Sequence, residues 1–186
     1  MPRVYEPGSA VRLKNKRWGT LGVKCWYEGK SYFLTAGHVA ENYEEDGLKG
    51  IRLGDKTKYD IGIIPFKGPY WDRGITALGE AKEGLEVISE AWCVYGRYYA
   101  FIRREGVLTK HNSVWQIEKG PEKFARRWGI SGGDLQLISE SGHSGKIWTD
   151  SMGRMVCLHY GGAVNPRGGI GYAHDMKDVI ELGIRF

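Results

Sequence analysis

Three serines in the segment GISGGDLQLISESGHSGKIW (129–148) stand directly before a glycine: Ser131, Ser141 and Ser144. A serine acts as a nucleophile when it has an exposed hydroxyl, a base in reach and donors for the oxyanion formed during attack. Ser131 opens GISGGD, but the DLQLI that follows alternates like a strand, so Ser131 is expected to close a turn. Ser141 falls in the loop after that strand. Ser144 ends the loop, and GKIWTDSMGRMVCLHY beyond it reads as a hairpin turning around Asp150 to Gly153. In Gly142-His143-Ser144-Gly145, glycine permits a backbone in which the amides of Gly142 and Ser144 converge. Ser144 is the predicted nucleophile, and those two amides are the predicted oxyanion donors.

A base and its orienting acid are sought at strand ends. FLTAGHVA places His38 directly after an apolar run, with small residues before it. In KYDIGIIPF, Asp60 interrupts the strongest hydrophobic run of the first half. A carboxylate there is costly to bury unless paired or hydrogen-bonded, and a buried carboxylate that orients an imidazole needs such a setting. Each residue alone also has a plain reading, as a hydrogen-bonded strand end.

The elements that must hold these residues are strands. Short apolar runs recur between glycine-containing or charged turns: AVRL, TLGVKCWY and KSYFLTA (the last two joined by Glu28-Gly29), then GIRLG and KYDIGIIPF. A second series runs from LEVISEAWCVYG through YYAFIRREGVLT, SVWQIEK, DLQLI, GKIWT and RMVCLHY to GIGYAH. This spacing predicts an all-β protein of sandwich or barrel sheets without parallel βαβ units. The irregular stretch 67–84 marks a boundary, giving one unit over 1–76 with His38 and Asp60 and another over 77–186 with Ser144. A short turn is expected from His38 to about Tyr43. One terminal helix is expected, capped by Asp175 with Asp178 at the capping-box position, its apolar face made by Val179, Ile180 and Leu182 before Gly183.

Composition narrows the class. The chain has 186 residues, 41% of them hydrophobic, which suffices for one large core or two small ones. No run approaches a membrane span, and MPRVYEPGSA lacks the apolar stretch of a signal peptide. The odd set of Cys25, Cys93 and Cys157 reads as buried thiols in a reducing, intracellular compartment. No motif points to a metal or an organic cofactor; His38 and His159 are too poorly accompanied for zinc. The net charge is +5, with basic clusters at Lys14, Lys16 and Arg17, at Arg103 and Arg104, and at Lys123, Arg126 and Arg127. With Trp18, Tyr98, Tyr99, Phe124 and Trp128 interleaved, these clusters fit either a weak nucleic-acid surface or ordinary solvated turns.

Taken together, His38 in TAGH, Asp60 in DIGII and Ser144 in GHSG resemble, in that order, the chymotrypsin-like (PA clan) endopeptidases over nearly the whole chain. The resemblance implies two six-stranded antiparallel barrels and a terminal helix, with a polypeptide substrate in the cleft between the barrels. It implies His38 as general base, Asp60 as orienting carboxylate and Ser144 as nucleophile. His143 stands where an acidic residue is usual, and Ser144-Gly145-Lys146 replaces the usual Ser-Gly-Gly-Pro. These departures shift the likeness towards compact viral members, such as the sobemovirus, astrovirus and arterivirus serine proteases, which process polyproteins in the host cytoplasm. In CLHYGG, His159 and Gly161 match the pocket that such relatives use for a Glu or Gln side chain, and Ser139 matches a hydroxyl on its wall. The sequence leaves Glu against Gln open. The rival reading is a catalytically weak chain of the same fold that binds peptide or RNA.

Overall fold

Period-two burial builds the second half of the molecule. Along Glu86–Tyr95, Val87, Ser89, Ala91 and Cys93 point inward while their neighbours are more exposed. In the computed structural model this strand, β9, pairs over ten residues with β10 (Tyr98–His111), which pairs with β11 (Val114–Lys119). Strands β12 (Ile147–Thr149), β13 (Met155–Ala163) and β14 (Ile170–Asp175) complete a closed antiparallel barrel in the order β10-β11-β14-β13-β12-β9. Val87, Leu108, Trp115, Ile117, Trp148, Val156, Cys157 and Ala173 fill it. The structure describes residues 4–119, 142–163 and 169–186. Ser131, Ser139, Ser141, the strand expected at 134–138, and the cluster of Lys123, Phe124, Arg126, Arg127 and Trp128 lie outside the described residues.

The first half holds β1 (Ala10–Arg12), β2 (Trp18–Thr20), β3 (Lys24–Tyr27), β4 (Lys30–Ala36), α1 (Gly37–Glu41), β5 (Glu44–Glu45), β6 (Leu48–Lys49), β7 (Ile51–Leu53) and β8 (Ile61–Pro65). A second six-stranded closed ladder was the expectation. Instead, the described strands form a four-stranded sheet, β3-β4-β8-β7, and two ribbons, β1-β2 and β5-β6. Two local features account for this. Between β2 and β3 the chain crosses over, and Leu21, Gly22 and Val23 bond to Gly8, Ser9 and Leu34 outside any regular ladder. The outer edge of β3 is taken by the C-terminal tail, where Trp26 and Arg185 exchange two backbone bonds of 2.7 and 2.9 Å.

The expected terminal helix forms as α2 (Met176–Glu181), with the Asp175 side chain accepting from the Lys177 amide at 2.9 Å. Met176 and Val179 of α2 pack with Val23, Leu34, Ile61 and Ile63 of the first half and with Ile147, Met155 and Leu158 of the barrel. Burying each such side chain contributes roughly 1.5–3 kcal/mol, so this shared cluster fixes the two halves against each other. Among the described residues, no helix is long and apolar enough to cross a membrane.

Candidate active site

The first half brings His38 and Asp60 together through sheet register. Ala36 at the end of β4 pairs with Ile61 at the start of β8, so His38, two residues past one strand, meets Asp60, one residue before the other. Asp60 Oδ1 accepts the His38 backbone N–H at 2.8 Å, and Asp60 Oδ2 lies 2.6 Å from His38 Nδ1. This two-point grip needs a bare backbone at Gly37, where a Cβ would lie 2.8 Å from Asp60 Oδ1 and 2.9 Å from the Arg52 guanidinium carbon. Arg52 on β7 completes the setting: Nη2 is 3.2 Å from Asp60 Oδ1, Nη1 donates to the Tyr59 carbonyl and Nε to Glu41. Burial alone would push the Asp60 carboxyl up, but the bonds and charge of His38, with the Arg52 charge, hold it below the usual carboxylate value.

The second half presents Ser144 on a turn held from across the molecule. Thr20 on β2 donates its N–H to the Ser144 carbonyl at 3.1 Å and its hydroxyl to the Gly142 carbonyl. Thr35 donates in turn to the Thr20 carbonyl at 2.7 Å. The residue after the serine must be glycine. Gly145 has φ +108°, and a Cβ there would overlap the Thr20 carbonyl oxygen and the Thr35 hydroxyl. Gly142 has φ +93°. The amides of Gly142 and Ser144 donate to no acceptor among the described residues.

The Ser144 hydroxyl donates to the Tyr160 carbonyl at 3.1 Å, and no hydrogen bond joins it to His38. That carbonyl is aimed by a bulge: β13 pairs His159 with Ala173 and Gly161 with Tyr172, leaving Tyr160 as the extra residue. The Tyr160 ring stacks on His174, 4.3 Å between centroids at 19°. His174 Nε2 accepts the Asp60 backbone N–H at 2.9 Å. Burial lowers the His174 pKa to about 4, against a pull upward from Asp60, so the ring is neutral at pH 7 and its lone pair is available. A continuous set of contacts therefore runs from Asp60 through His174 and Tyr160 to Ser144.

His38, Ser144, Tyr160 and Gly161 line one open cleft of about 500 Å³ with Trp18 and Gly142. His159 is fully buried behind that wall. Its Nδ1 accepts the Trp148 indole N–H at 3.1 Å, which places the ring proton on Nε2. Burial first, then the nearby positive charge of Lys146, keeps the ring well below the ordinary histidine value. Among the described residues, no three His, Cys, Asp or Glu side chains cluster as metal ligands. Arg52, Thr20, Trp148 and His174 were not anticipated from sequence. Arg52 and Thr20 sit in unremarkable strand segments, and only the burial of His174 in GIGYAH distinguishes it.

A closed antiparallel barrel joined to a second β unit, with a histidine–aspartate pair on one side of the cleft and a Ser-Gly turn on the other, is the fold of the chymotrypsin-like proteases. Superposition agrees. Over 97% of this chain and 98% of the other, it matches a glutamic acid specific serine protease described as using a histidine triad in substrate binding, at TM-score 0.62 and 16% identity. It also matches an inactive mutant form of Rv3671c from M. tuberculosis H37Rv over 93% of this chain and 82% of that one, at TM-score 0.53 and 16% identity. At these identities the likeness is one of fold. No family model matches the sequence, and no curated protein does.

Proposed function

We propose that the chain is a serine endopeptidase in which Ser144 attacks the peptide carbonyl, His38 moves the proton and Asp60 orients His38. The observation that carries this reading is the 2.6 Å contact of His38 Nδ1 with Asp60 at the edge of the cleft that also holds Ser144. With Nδ1–H held by the carboxylate, Nε2 is the nitrogen left to take the Ser144 proton. Substrate in the cleft draws the Ser144 hydroxyl from the Tyr160 carbonyl to His38. The oxyanion then forms against the Gly142 and Ser144 amides, which have no competing acceptor among the described residues. His38 returns the proton to the leaving amine, and water hydrolyses the acyl-enzyme by the same route.

For the residue before the cut, we favour Gln over Glu. The His159 ring, neutral and with its proton on Nε2, matches the carbonyl of Gln better than a carboxylate. A carboxylate in that place would be desolvated without a countercharge from the ring. Gly161, on the wall of the cleft, borders this subsite. The proposed partner is thus a polypeptide, and its being a viral polyprotein rests on the sequence resemblance alone. The second reading, a binding module for peptide or RNA, is favoured by one observation: the Ser144 hydroxyl is bonded to Tyr160 and not to His38. A peptide library with N-terminal sequencing of the products separates the two. Cleavage after Gln that disappears in Ser144→Ala supports the peptidase, and an uncut library supports the module.

A further inference from the structure

Beneath the Gly142–Ser144 turn lies a cluster of reactive groups that peptide hydrolysis does not use. Cys93 Sγ on β9 is 2.8 Å from Nε2 of the buried His143, and Lys146 Nζ is 3.2 Å from Nδ1 of the same ring. An ammonium has donors only, so Nδ1 accepts and the ring proton is on Nε2, aimed at the sulfur. Burial, then the charges of Lys146 and Arg104, lower the His143 pKa to about 2, so the ring stays neutral and its tautomer fixed. The Cys93 sulfur thus faces an N–H of His143, with the Lys146 ammonium across the same ring, a setting that stabilises charge developing on an attacking sulfur.

The other two cysteines differ on each count. Cys25 and Cys157 are 0% exposed against 8% for Cys93. Burial pushes the Cys25 thiol up to about 12 and the Cys157 thiol well above its ordinary value. Cys93 lines an open pocket of about 620 Å³ with Arg17, Trp18, Trp92, Tyr95 and Gly142. Its described lining holds one cation, Arg17, and no carboxylate. Arg17, Trp18 and Gly142 are also walls of the cleft that contains His38 and Ser144, so the two cavities adjoin at the oxyanion turn.

We propose that Cys93 is a thiol-modification site: His143 and Lys146 make its sulfur a nucleophile, and the pocket takes an anionic low-molecular-weight disulfide whose adduct obstructs the cleft beside Gly142. The Cys93 thiolate attacks one sulfur of the disulfide. A Cys93 Sγ–S bond forms, the original S–S bond breaks, and the second sulfur leaves as a thiolate that takes a proton from water. Cys93 is oxidised as the departing half is reduced. The site stands on its own geometry, and only its effect on turnover rests on the peptidase reading.

The test incubates the native chain with oxidised glutathione and reads adducts by intact mass and peptide mapping. The expected result is one glutathione on Cys93, removed by reductant, with Cys25 and Cys157 unmodified until the chain is unfolded. His143→Gln and Lys146→Met should each slow the reaction at least tenfold. Arg17→Gln, an exposed substitution that does not touch the buried cluster, should slow oxidised glutathione more than the cationic disulfide cystamine. Modification of Cys25 or Cys157 as fast as Cys93 would overturn the proposal, as would no adduct, or rates unchanged in both buried variants. Equal slowing by Arg17→Gln of both disulfides would overturn the anionic preference. Peptide hydrolysis is measured in parallel. An adduct on Cys93 that leaves hydrolysis unchanged removes the obstruction, whereas a chain that forms the adduct but cleaves nothing refutes the peptidase reading and keeps the site.

Discussion

Trp148 donates its indole N–H to Nδ1 of His159 at 3.1 Å, so a barrel-core side chain decides which nitrogen of that histidine carries the proton. His159 is the proposed reader of the residue before the cut, and this bond fixes the tautomer it presents. Trp148→Phe removes the donor and lets the ring proton move to Nδ1, while burial and the Lys146 charge still keep the ring neutral. The ratio of cleavage after Gln to cleavage after Glu should then fall by about tenfold, the equivalent of one hydrogen bond of ~1.4 kcal/mol, through lost cleavage after Gln with no gain after Glu. Paired peptides differing only in Gln or Glu give the ratio of kcat/KM that checks this.

In the proposed mechanism Arg52 acts through Asp60. Its Nη2 lies 3.2 Å from the oxygen that also accepts the His38 amide, and its other nitrogens are tied to Tyr59 and Glu41. Arg52→Gln should lower kcat by roughly ten- to a hundredfold, since loosening the carboxylate by one charge-assisted bond costs about 1.5–3 kcal/mol. KM should change little, because Arg52 is not among the residues that line the cleft. Partial recovery in Arg52→Lys separates positioning from folding.

Thr20 is a hydroxyl that valine nearly replaces in shape but not in bonding. Its Oγ1 holds the Gly142 carbonyl while its N–H holds that of Ser144. Thr20→Val should cost roughly 1–3 kcal/mol of stability by leaving a part-buried carbonyl without that donor. It should also reduce kcat by loosening the oxyanion turn. Thr20→Ser keeps the hydroxyl and should retain most of both. Urea unfolding alongside turnover measures the two effects.

His174 ties stability to pH. Its folded pKa of about 4 is below the ~6.5 of an unfolded histidine, so between these values the unfolded chain binds more protons. The neutral ring contributes stability that is full above about pH 6.5 and is lost as pH falls towards 4, a total of about 3 kcal/mol. His174→Phe keeps a ring against Tyr160 but does not titrate. Its unfolding free energy should therefore fall less steeply than that of the parent chain between pH 6.5 and 4. Identical slopes would show that His174 is not the group responsible.

The residues proposed to do chemistry stand out in the sequence because they break a local pattern. Asp60 interrupts an apolar strand, His38 ends one, and Ser144 lies in a glycine-rich loop; the structure places His38 against Asp60, and His38 and Ser144 on one cleft. The Asp175 cap and the Glu28-Gly29 hairpin were legible for the same reason, since each is fixed within a few residues. What holds the site was not. Thr20 and Gly142 are brought together across 122 positions, and Asp60 and His174 across 114, by sheet pairing that no local spacing encodes. The closed N-terminal barrel expected from sequence is not among the described sheets, and the reason is related: Arg185, far along the chain, occupies the edge of β3. His143, which stands where an acidic residue is usual in the resemblance, faces Cys93 and Lys146 in the core.

The most direct test of the central claim is the site of labelling by a fluorophosphonate, which reacts only with an activated hydroxyl. Incubation of the native chain followed by peptide mapping should place a single adduct on Ser144. It should be absent in Ser144→Ala, slowed by orders of magnitude in His38→Ala, and indifferent to chelator. An adduct on Ser131 or Ser141 instead, or no adduct on a chain whose unfolding remains cooperative, would contradict the assignment of Ser144 as the nucleophile.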